Sequence, residues 1–340
     1  MITVKDVAKH ADVSAATVSR VINGAQNVSP EIRRRVKESI KTLGYFPNNA
    51  ARSLVLRQAG SIAVLLHNLH SPFYGDLIRG IEDGAATSSR NVIFCSLGRN
   101  QENRDHYIQF LTNGTSDAII LYGSMFSDQP IIEHLYSVNF PFLLIENNFQ
   151  SLPVNQILID NIEGARGAVE YLIDTGHSRI AHFMGNPNKK VNLERFNGYT
   201  EAMQKNGLPI AQDHIKNIFE DDDLSYKASQ ELMQQPAEAR PTAIFCSNDR
   251  IAAKAIQGIL DLGFSVPDDM SVVGFDNQLN YDNCYHGPSI TSVKQPLYEI
   301  GRDSIQHLTN ILDGTQATPF SKSYHTELVK MSTVAPPKIW

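Results

Sequence analysis

Cysteine is scarce in this chain, tryptophan scarcer still, and no apolar stretch is long enough to cross a bilayer. The three cysteines, Cys95, Cys246 and Cys284, are odd in number, widely spaced and set beside apolar residues. That pattern predicts buried thiols rather than a disulfide framework. Neither Cys-x-x-Cys nor His-Glu-x-x-His occurs, so the sequence offers no metal motif. The apolar runs fall short of the roughly 18 residues of a membrane span. The start MITVKDVAKHADVS lacks the charged region, apolar core and cleavage site of a secretion signal. A cytoplasmic protein without a membrane partner is the expectation. Enzyme signatures are missing too: there is no Gly-x-Ser-x-Gly elbow, no Gly-x-x-x-x-Gly-Lys-Ser/Thr loop and no dinucleotide fingerprint. The expectation is therefore no catalytic residue, no cofactor and no metal. His67 and His70 read as an incidental loop pair, and Glu220 to Asp223 as a solvated acidic loop.

Charge is unevenly distributed. Residues 1 to 60 hold ten Lys or Arg against four Asp or Glu, a net +6, and the rest holds 20 against 32, a net −12. A small basic unit on a large acidic one suggests a head that meets a polyanion and a body that stays in solution. The length of 340 residues calls for two or three domains.

In the head, Val4, Val7, Ala8 and Ala11 form one apolar helical face, with Thr3 as N-cap and Asp6 completing a capping box. Asp12-Val13-Ser14 breaks the pattern, and Ser14 can cap a second helix. Its residues Val18, Val21 and Ile22 face inward while Ala15, Ala16, Thr17, Ser19 and Arg20 stay outside, until Asn23-Gly24 ends it. A third helix follows Ser29 and Pro30, buries Ile32, Val36, Ile40 and Leu43, and stops at Gly44. Two short helices joined by a three-residue turn make a helix-turn-helix, whose second helix enters the major groove of DNA. Arg20 can make paired hydrogen bonds to guanine, and Ala15, Ala16 and the Thr17 methyl can touch thymine methyls. The same features also suit a capped three-helix miniature whose arginines only keep it soluble.

The segment "VKDVAKHADVSAATVSRVING", followed by "VSPEIRRRVKESIKTLGYFPNNAARSL", resembles the DNA-binding head and hinge of the lactose-repressor (LacI/GalR) family. The resemblance implies that Ala15, Ala16 and Arg20 read the major groove, that Thr17, Asn23 and Tyr45 hold phosphates, and that Leu54 inserts into the minor groove at the operator centre. Residues 48 to 56 are too few for an isolated helix in water, so a hinge helix that forms on operator DNA is expected there.

From Ser61 onward the pattern is strand and helix in alternation. "SIAVLL" (61–66), "NVIFCSL" (91–97), "DAIILY" (117–122) and "PFLLIE" (141–146) read as buried parallel strands. "RIAHFMG" (179–185), "TAIFCS" (242–247) and "SVVGFD" (271–276) repeat the cadence. Two such units predict two doubly wound lobes with a ligand cleft at their strand ends. Phe73, Tyr74, Glu146, Arg195, Asn248-Asp249 and Asp276 stand at those ends. Carboxylates, amides and a guanidinium suit vicinal hydroxyls, and an aromatic face suits a sugar ring. Asn248 also suits a helix cap, Glu146 a surface charge and Phe73 core packing.

"SPFYGDLIRGIE", "GHSRIAHFMG", "ERFNGY", "PTAIFCSNDRIAAKAI" and "GFSVPDDMSVVGFDN" resemble the periplasmic-binding-protein-like core of the same family, over nearly the whole chain to about residue 335. The resemblance implies effector contacts at Arg195, Asn248 and Asp276, with Phe73, Tyr74, Glu146 and Asp160 beside them. Purine-binding members carry Arg and Thr where Lys189 and Val191 stand, so a sugar or sugar phosphate is favoured over a nucleobase. The chain ends at "STVAPPKIW" without the tetramerising heptads of the lactose repressor itself, so a homodimer on a near-palindromic operator is expected. The expected layout is a helix-turn-helix at 1–46, a hinge and linker at 47–60, and a core at 61–335. Within the core, one lobe comprises about 61–160 plus 293–318 and the other about 161–292 plus 319–335. The function implied is a repressor of carbohydrate-utilisation genes, released from DNA by its effector; the alternatives are a cytoplasmic solute-binding receptor with no DNA role, or a repressor controlled by a nucleobase or co-repressor.

Overall fold

The computed structural model describes residues 2–338 except 23, 26, 46–57, 89, 99–100, 124, 148, 220–222 and 279–284, and for 101–103 it describes the backbone only. The proposed hinge helix 48–56, Leu54, Asn23, Cys284 and most of the 220–223 acidic loop lie outside the described residues. Two compact units divide at Gly60.

The first unit is the basic head. Its helices are α1 (Val4–His10), α2 (Ala15–Ile22) and α3 (Pro30–Leu43). The boundaries follow from capping. Thr3 and Asp6 form a reciprocal capping box, the Ser29 hydroxyl accepts from the Ile32 amide, and Gly44 closes α3 in the left-handed region at φ 59°. The Ser14 hydroxyl accepts the Thr17 amide at 3.1 Å, capping α2 as expected. Val7, Ala8, Ala11, Val18, Val21 and Val36 form the buried centre, with Ile32, Ile40 and Leu43 packed around it. Not every arginine of the head serves solubility: Arg33 donates to the Ala25 carbonyl and Arg35 to the Asp12 carbonyl, fixing the turns on either side of α2.

The second unit holds two six-stranded sheets. The first contains β1 (Ser61–Leu66), β2 (Asn91–Ser96), β3 (Ala118–Tyr122), β4 (Phe142–Ile145) and β5 (Gln156–Ile159), with β11 (Ser321–Tyr324) at its edge, in the order β11-β5-β4-β3-β1-β2. All its pairings are parallel. The second contains β6 (Ile180–Met184), β7 (Ile215–Asn217), β8 (Ala243–Cys246), β9 (Ser271–Asp276), β10 (Thr291–Lys294) and β12 (Glu327–Val329), in the order β12-β10-β9-β8-β6-β7. Only β12 runs antiparallel, against β10. The seven strands expected from apolar runs are all present. The five others hold only three or four residues each, and β7, β11 and β12 are partly exposed edges without an apolar run.

The helices of the core are α4 (Gly75–Ser88), α5 (Gln101–Phe110), α6 (Gln129–Ser137), α7 (Asn161–Asp174), α8 (Lys190–Lys205), α9 (Asp223–Met233), α10 (Asp249–Asp261) and α11 (Leu297–Leu312). α11 packs on α4 so closely that a Cβ on Gly80 would lie 2.0 Å from the Tyr298 carbonyl oxygen, and one on Gly301 would lie 2.2 Å from that of Leu77. These two helices and the first sheet share one apolar core.

Two of the approximate lobe bounds shift by a few residues. Strand β10, at 291–294, belongs to the second sheet, and β11, at 321–324, belongs to the first, where Ser321 pairs with Gln156. The lobes therefore exchange chain at 160–161, between 294 and 297, and between 324 and 327, rather than at 292–293 and 318–319. The bounds were approximate because β10 and β11 are short and mostly polar, so neither shows as a strand in the sequence. Cys95 and Cys246 are buried free thiols, as expected. No helix of the described residues is long and apolar enough to cross a membrane.

Candidate functional site

Parallel strands of both sheets deliver their C-terminal ends to one place. Arg195, on the second turn of α8, is its centre and is only 4% exposed. Its guanidinium donates to Asn161 Oδ1 at 3.0 Å and to the Ser247 carbonyl at 2.5 Å, pairs with Asp276 at 3.1 Å, and lies 3.7 Å above the Phe275 ring. Glu146 approaches from the other lobe, with Oε1 3.8 Å from Arg195. That separation is an ion pair but too long for a hydrogen bond.

Glu146 and Asp276 project from strained backbone, at φ 65° and 101°. Positive φ is uncommon outside glycine and concentrates where function requires a side chain to be aimed. Both carboxylates are pushed upward by burial: Glu146 to about 7, with Asp276 adding and Arg195 opposing, and Asp276 raised against the pull of Arg195. Tyr122 donates to Glu146 Oε2 at 2.9 Å, and Gln295 Nε2 donates to Asp276 Oδ1 at 2.7 Å. Behind them Asp249 accepts from the Ser292 hydroxyl and the Gln278 amide, at 2.6 and 2.8 Å. Burial and Asp276 raise Asp249 to about 7 as well. Gly274 makes room for it: a Cβ there would stand 2.1 Å from Asp249 Oδ1.

Among the described residues, several buried polar atoms of this region have no hydrogen-bond partner: Glu146 Oε1, Gln295 Oε1, Gln278 Oε1, Ser247 Oγ and Asn147 Nδ2. Buried polar groups are normally paired, so such a cluster marks a surface shaped for something else to complete.

The structure brings Arg195, Glu146 and Asp276 together directly. Phe73 and Tyr74 sit with Tyr122 in an edge-to-face cluster, with ring centres 5.2 to 6.0 Å apart, backing Glu146. Tyr74 is buried and Phe73 packs on the first lobe's core, so the packing role raised for Phe73 is realised. Asn248 caps α10, its Oδ1 accepting the Ile251 amide at 3.0 Å, which leaves the amide nitrogen as its other polar group. Asp160 pairs with the exposed His325 rather than with Arg195. Residue reading missed Tyr122, Asn161, Ser247 and Gln295. Each closes or follows a strand, and that position was the signal that could have found them. His67 is less incidental than expected: it bonds the buried Asp128 at 3.1 Å and Arg104 at 3.1 Å.

On the head, Ala16, Ser19 and Arg20 form the exposed face of α2. Ala15 is half-buried against the head's core, Thr17 Oγ1 meets Ser14 Oγ at 2.9 Å, and Tyr45 packs partly on the same core.

A helix-turn-helix head followed by a two-lobed α/β unit with a polar interlobe site defines a ligand-responsive DNA-binding protein. Residues 3–48 match the family model described as bacterial regulatory proteins, lacI family, and residues 59–330 match that of periplasmic binding proteins and sugar binding domain of LacI family. The chain is 34% identical to catabolite control protein A of Priestia megaterium over 92% of its length and 93% of the relative's. It is 30% identical to the HTH-type transcriptional repressor PurR of Yersinia pestis, over 98% of this chain and 97% of that one. Its fold matches the Lac repressor dimer bound to operator and the anti-inducer ONPF, with TM-score 0.85, 26% identity and coverage of 98% and 99%. This chain belongs to the LacI family. It is a DNA-binding transcriptional regulator, and the family's members are not enzymes.

Proposed function

We propose that this chain is a dimeric repressor of carbohydrate-utilisation genes, released from a near-palindromic operator when a hydroxyl-rich effector, a sugar or sugar phosphate, occupies the cleft around Arg195. The observation that carries the effector class is the pair of buried acceptors without donors, Glu146 Oε1 and Gln295 Oε1, beside the Arg195–Asp276 ion pair. Sugar hydroxyls supply donors to such acceptors and accept from the guanidinium at the same time. A planar purine is supported less well, because buried Val191 offers no polar atom to a base edge. The family model's own description as a sugar binding domain points the same way.

On the DNA side, Arg20, Ala16 and Ala15 read the major groove, with Thr17, Asn23 and Tyr45 toward phosphates and Leu54 at the operator centre. A thermal-shift screen of sugars and sugar phosphates tests the effector reading: a ligand at 100 times its Kd adds roughly 2.7 kcal/mol of stability. The hit must also weaken operator binding in a gel shift. Stabilisation by purines alone would sink the sugar assignment.

A further inference from the structure

Near the Arg195 cluster lies a cavity of about 280 Å³ between the lobes, lined by Phe126, Gln129, Asn147, Phe149 and Lys190 among others. The lobes touch here through backbone: the Phe126 amide donates to the Asn188 carbonyl at 3.1 Å, and Met125 and Lys189 form an antiparallel bridge. We infer that this cavity is a subsite for an anionic group carried by the effector, a phosphate or carboxylate, held by Lys190, Asn147 Nδ2 and the N-terminus of α8.

Three observations converge. Asn147 is 1% exposed, and its Oδ1 lies 3.5 Å from Lys190 Nζ. Its Nδ2 is thereby a buried donor with no acceptor among the described residues. Second, the ammonium of Lys190 is held over the Phe126 and Phe149 rings, at 5.8 and 5.3 Å from their centres, which positions the charge in a half-buried setting. Third, α8 begins at Lys190 with no side-chain cap and no acidic residue in its first turn, so its sixteen residues direct a positive dipole end at the same place.

The two ends of the ligand region ask for opposite chemistry. The inner end sets Glu146, Asp249 and Asp276 against Arg195 and exposes unpaired acceptors, which suits hydroxyls and repels anions. The outer end presents an ammonium, an amide NH2 and helix amides as donors, an excess that the carboxylates of Glu194 and Asp128 partly offset at Lys190. An effector that fits both is a polyol ring bearing one acidic substituent. Burial lowers the Lys190 pKa against the opposite pull of Glu194 and Asp128, and an arriving anion adds to that pull, so binding favours the protonated ammonium in alkaline solution. This inference rests on the reading of the cleft as the effector site.

Inorganic phosphate is the probe, titrated into the full-length chain by calorimetry and thermal shift at constant ionic strength. The basic head also attracts phosphate, so the readout is the difference between variants. The wild type and Lys190→Arg are expected to show a phosphate site that Lys190→Gln and Asn147→Asp weaken at least tenfold. Arg195→Ala is expected to keep it while losing sugar binding, which separates the subsite from the cleft reading. Acetate in place of phosphate decides between phosphate and carboxylate as the preferred group. Lys190→Gln matching the wild type in phosphate affinity overturns the proposal, whatever the sugar screen finds.

Discussion

The head and the body each turn on one arginine, and the two are handled in opposite ways. Arg20 stands on the exposed face of a short helix whose other outward residues are small, and no described carboxylate holds it. Its free reach is what a base-reading side chain requires, since a guanidinium already committed to a carboxylate must give up that bond before meeting guanine. Arg195 is buried, bonded on several sides and stacked on an aromatic ring. A site for small molecules gains from such preorganisation, because the bound geometry needs no ordering when the ligand arrives. The head therefore keeps its functional group out of its own stability, and the body builds its functional group into the fold.

The sharpest way to break this comparison is to delete each arginine and measure stability and binding separately. Arg195→Ala leaves Asp276 and Glu146 as buried carboxylates without their counter-ion, a class of change that costs about 3–5 kcal/mol. Denaturant unfolding should show this loss in the body, and calorimetry should show loss of sugar binding. A variant as stable as the wild type would mean that the carboxylates are neutral or hydrated, and the cluster is not an ion-paired framework.

The body's pH response is the next largest effect, and its parts have opposite signs. His182 is fully buried, stacked among Phe196, Tyr199 and Phe245, and its Nδ1 lies 3.0 Å from the Phe245 carbonyl. Burial lowers its pKa from 6.5 to about 3. Between those values the unfolded chain holds a proton that the folded chain refuses, so stability falls as pH drops from 6.5 toward 3. Each pH unit across which only one state is protonated is worth about 1.4 kcal/mol. Glu146 and Asp249, raised to about 7, act the other way: the folded state keeps their protons longer, so the stability they confer in acid is lost as pH rises through 7. Glu146→Gln should then lose less stability than the wild type between pH 6 and 8. His182→Phe should lose less between pH 6 and 4. Parallel stability curves for wild type and His182→Phe would show that His182 charges in the folded state.

Arg20→Ala comes third. It is expected to cost about 1–3 kcal/mol on the operator and to relax preference at one base pair, with the head's stability unchanged. Equal weakening on operator and random DNA would reduce Arg20 to a phosphate contact, and the contrast with Arg195 would lose its head-side half.

Much of this layout was legible in the residues, for physical reasons that also explain the gaps. The head's elements announce themselves through Thr3, Ser14, Ser29 and Gly44, because caps act locally. The central strands show as unbroken apolar runs because both sheet faces are covered by helices. Strands β10 and β11 escaped notice because a four-residue, mostly polar strand, whether the interior β10 or the edge β11, is specified by its partners and not by its own composition. At the site, Arg195, Glu146 and Asp276 were accessible as polar residues at strand or helix ends. Tyr122 shares that strand-end signal but reads equally as core, and Gln295 does not show it because β10 before it has no apolar run. That Glu146 is buried follows from its packing on Tyr122 in its own lobe and from Arg195 across the cleft, a fact of tertiary structure.

The smallest expected effect tests whether the head's independence extends to its own first helix. Asp6 Oδ2 accepts from the Thr3 amide at 2.8 Å and from the Thr3 hydroxyl at 2.7 Å, and the Asp6 amide reaches back to the Thr3 hydroxyl at 3.4 Å. Those bonds favour the carboxylate and lower the Asp6 pKa below its ordinary 3.8, the Thr3 side chain contributing most. A depressed carboxylate contributes stability above its unfolded pKa and loses it as pH falls through the folded value, so the box fails only in acid below about pH 4. Thr3→Ala should cost about 1 kcal/mol, in line with other N-cap deletions. Hydrogen exchange of the α1 amides in the full-length chain is the suitable readout, because it isolates the head from the larger body. Faster exchange confined to the head, with protection around Arg195 untouched, is the expected result. Loss of protection in the body as well would show that the two units stabilise each other, and the separation between a free arginine in one and a built-in arginine in the other would have to be redrawn as a property of one cooperative molecule.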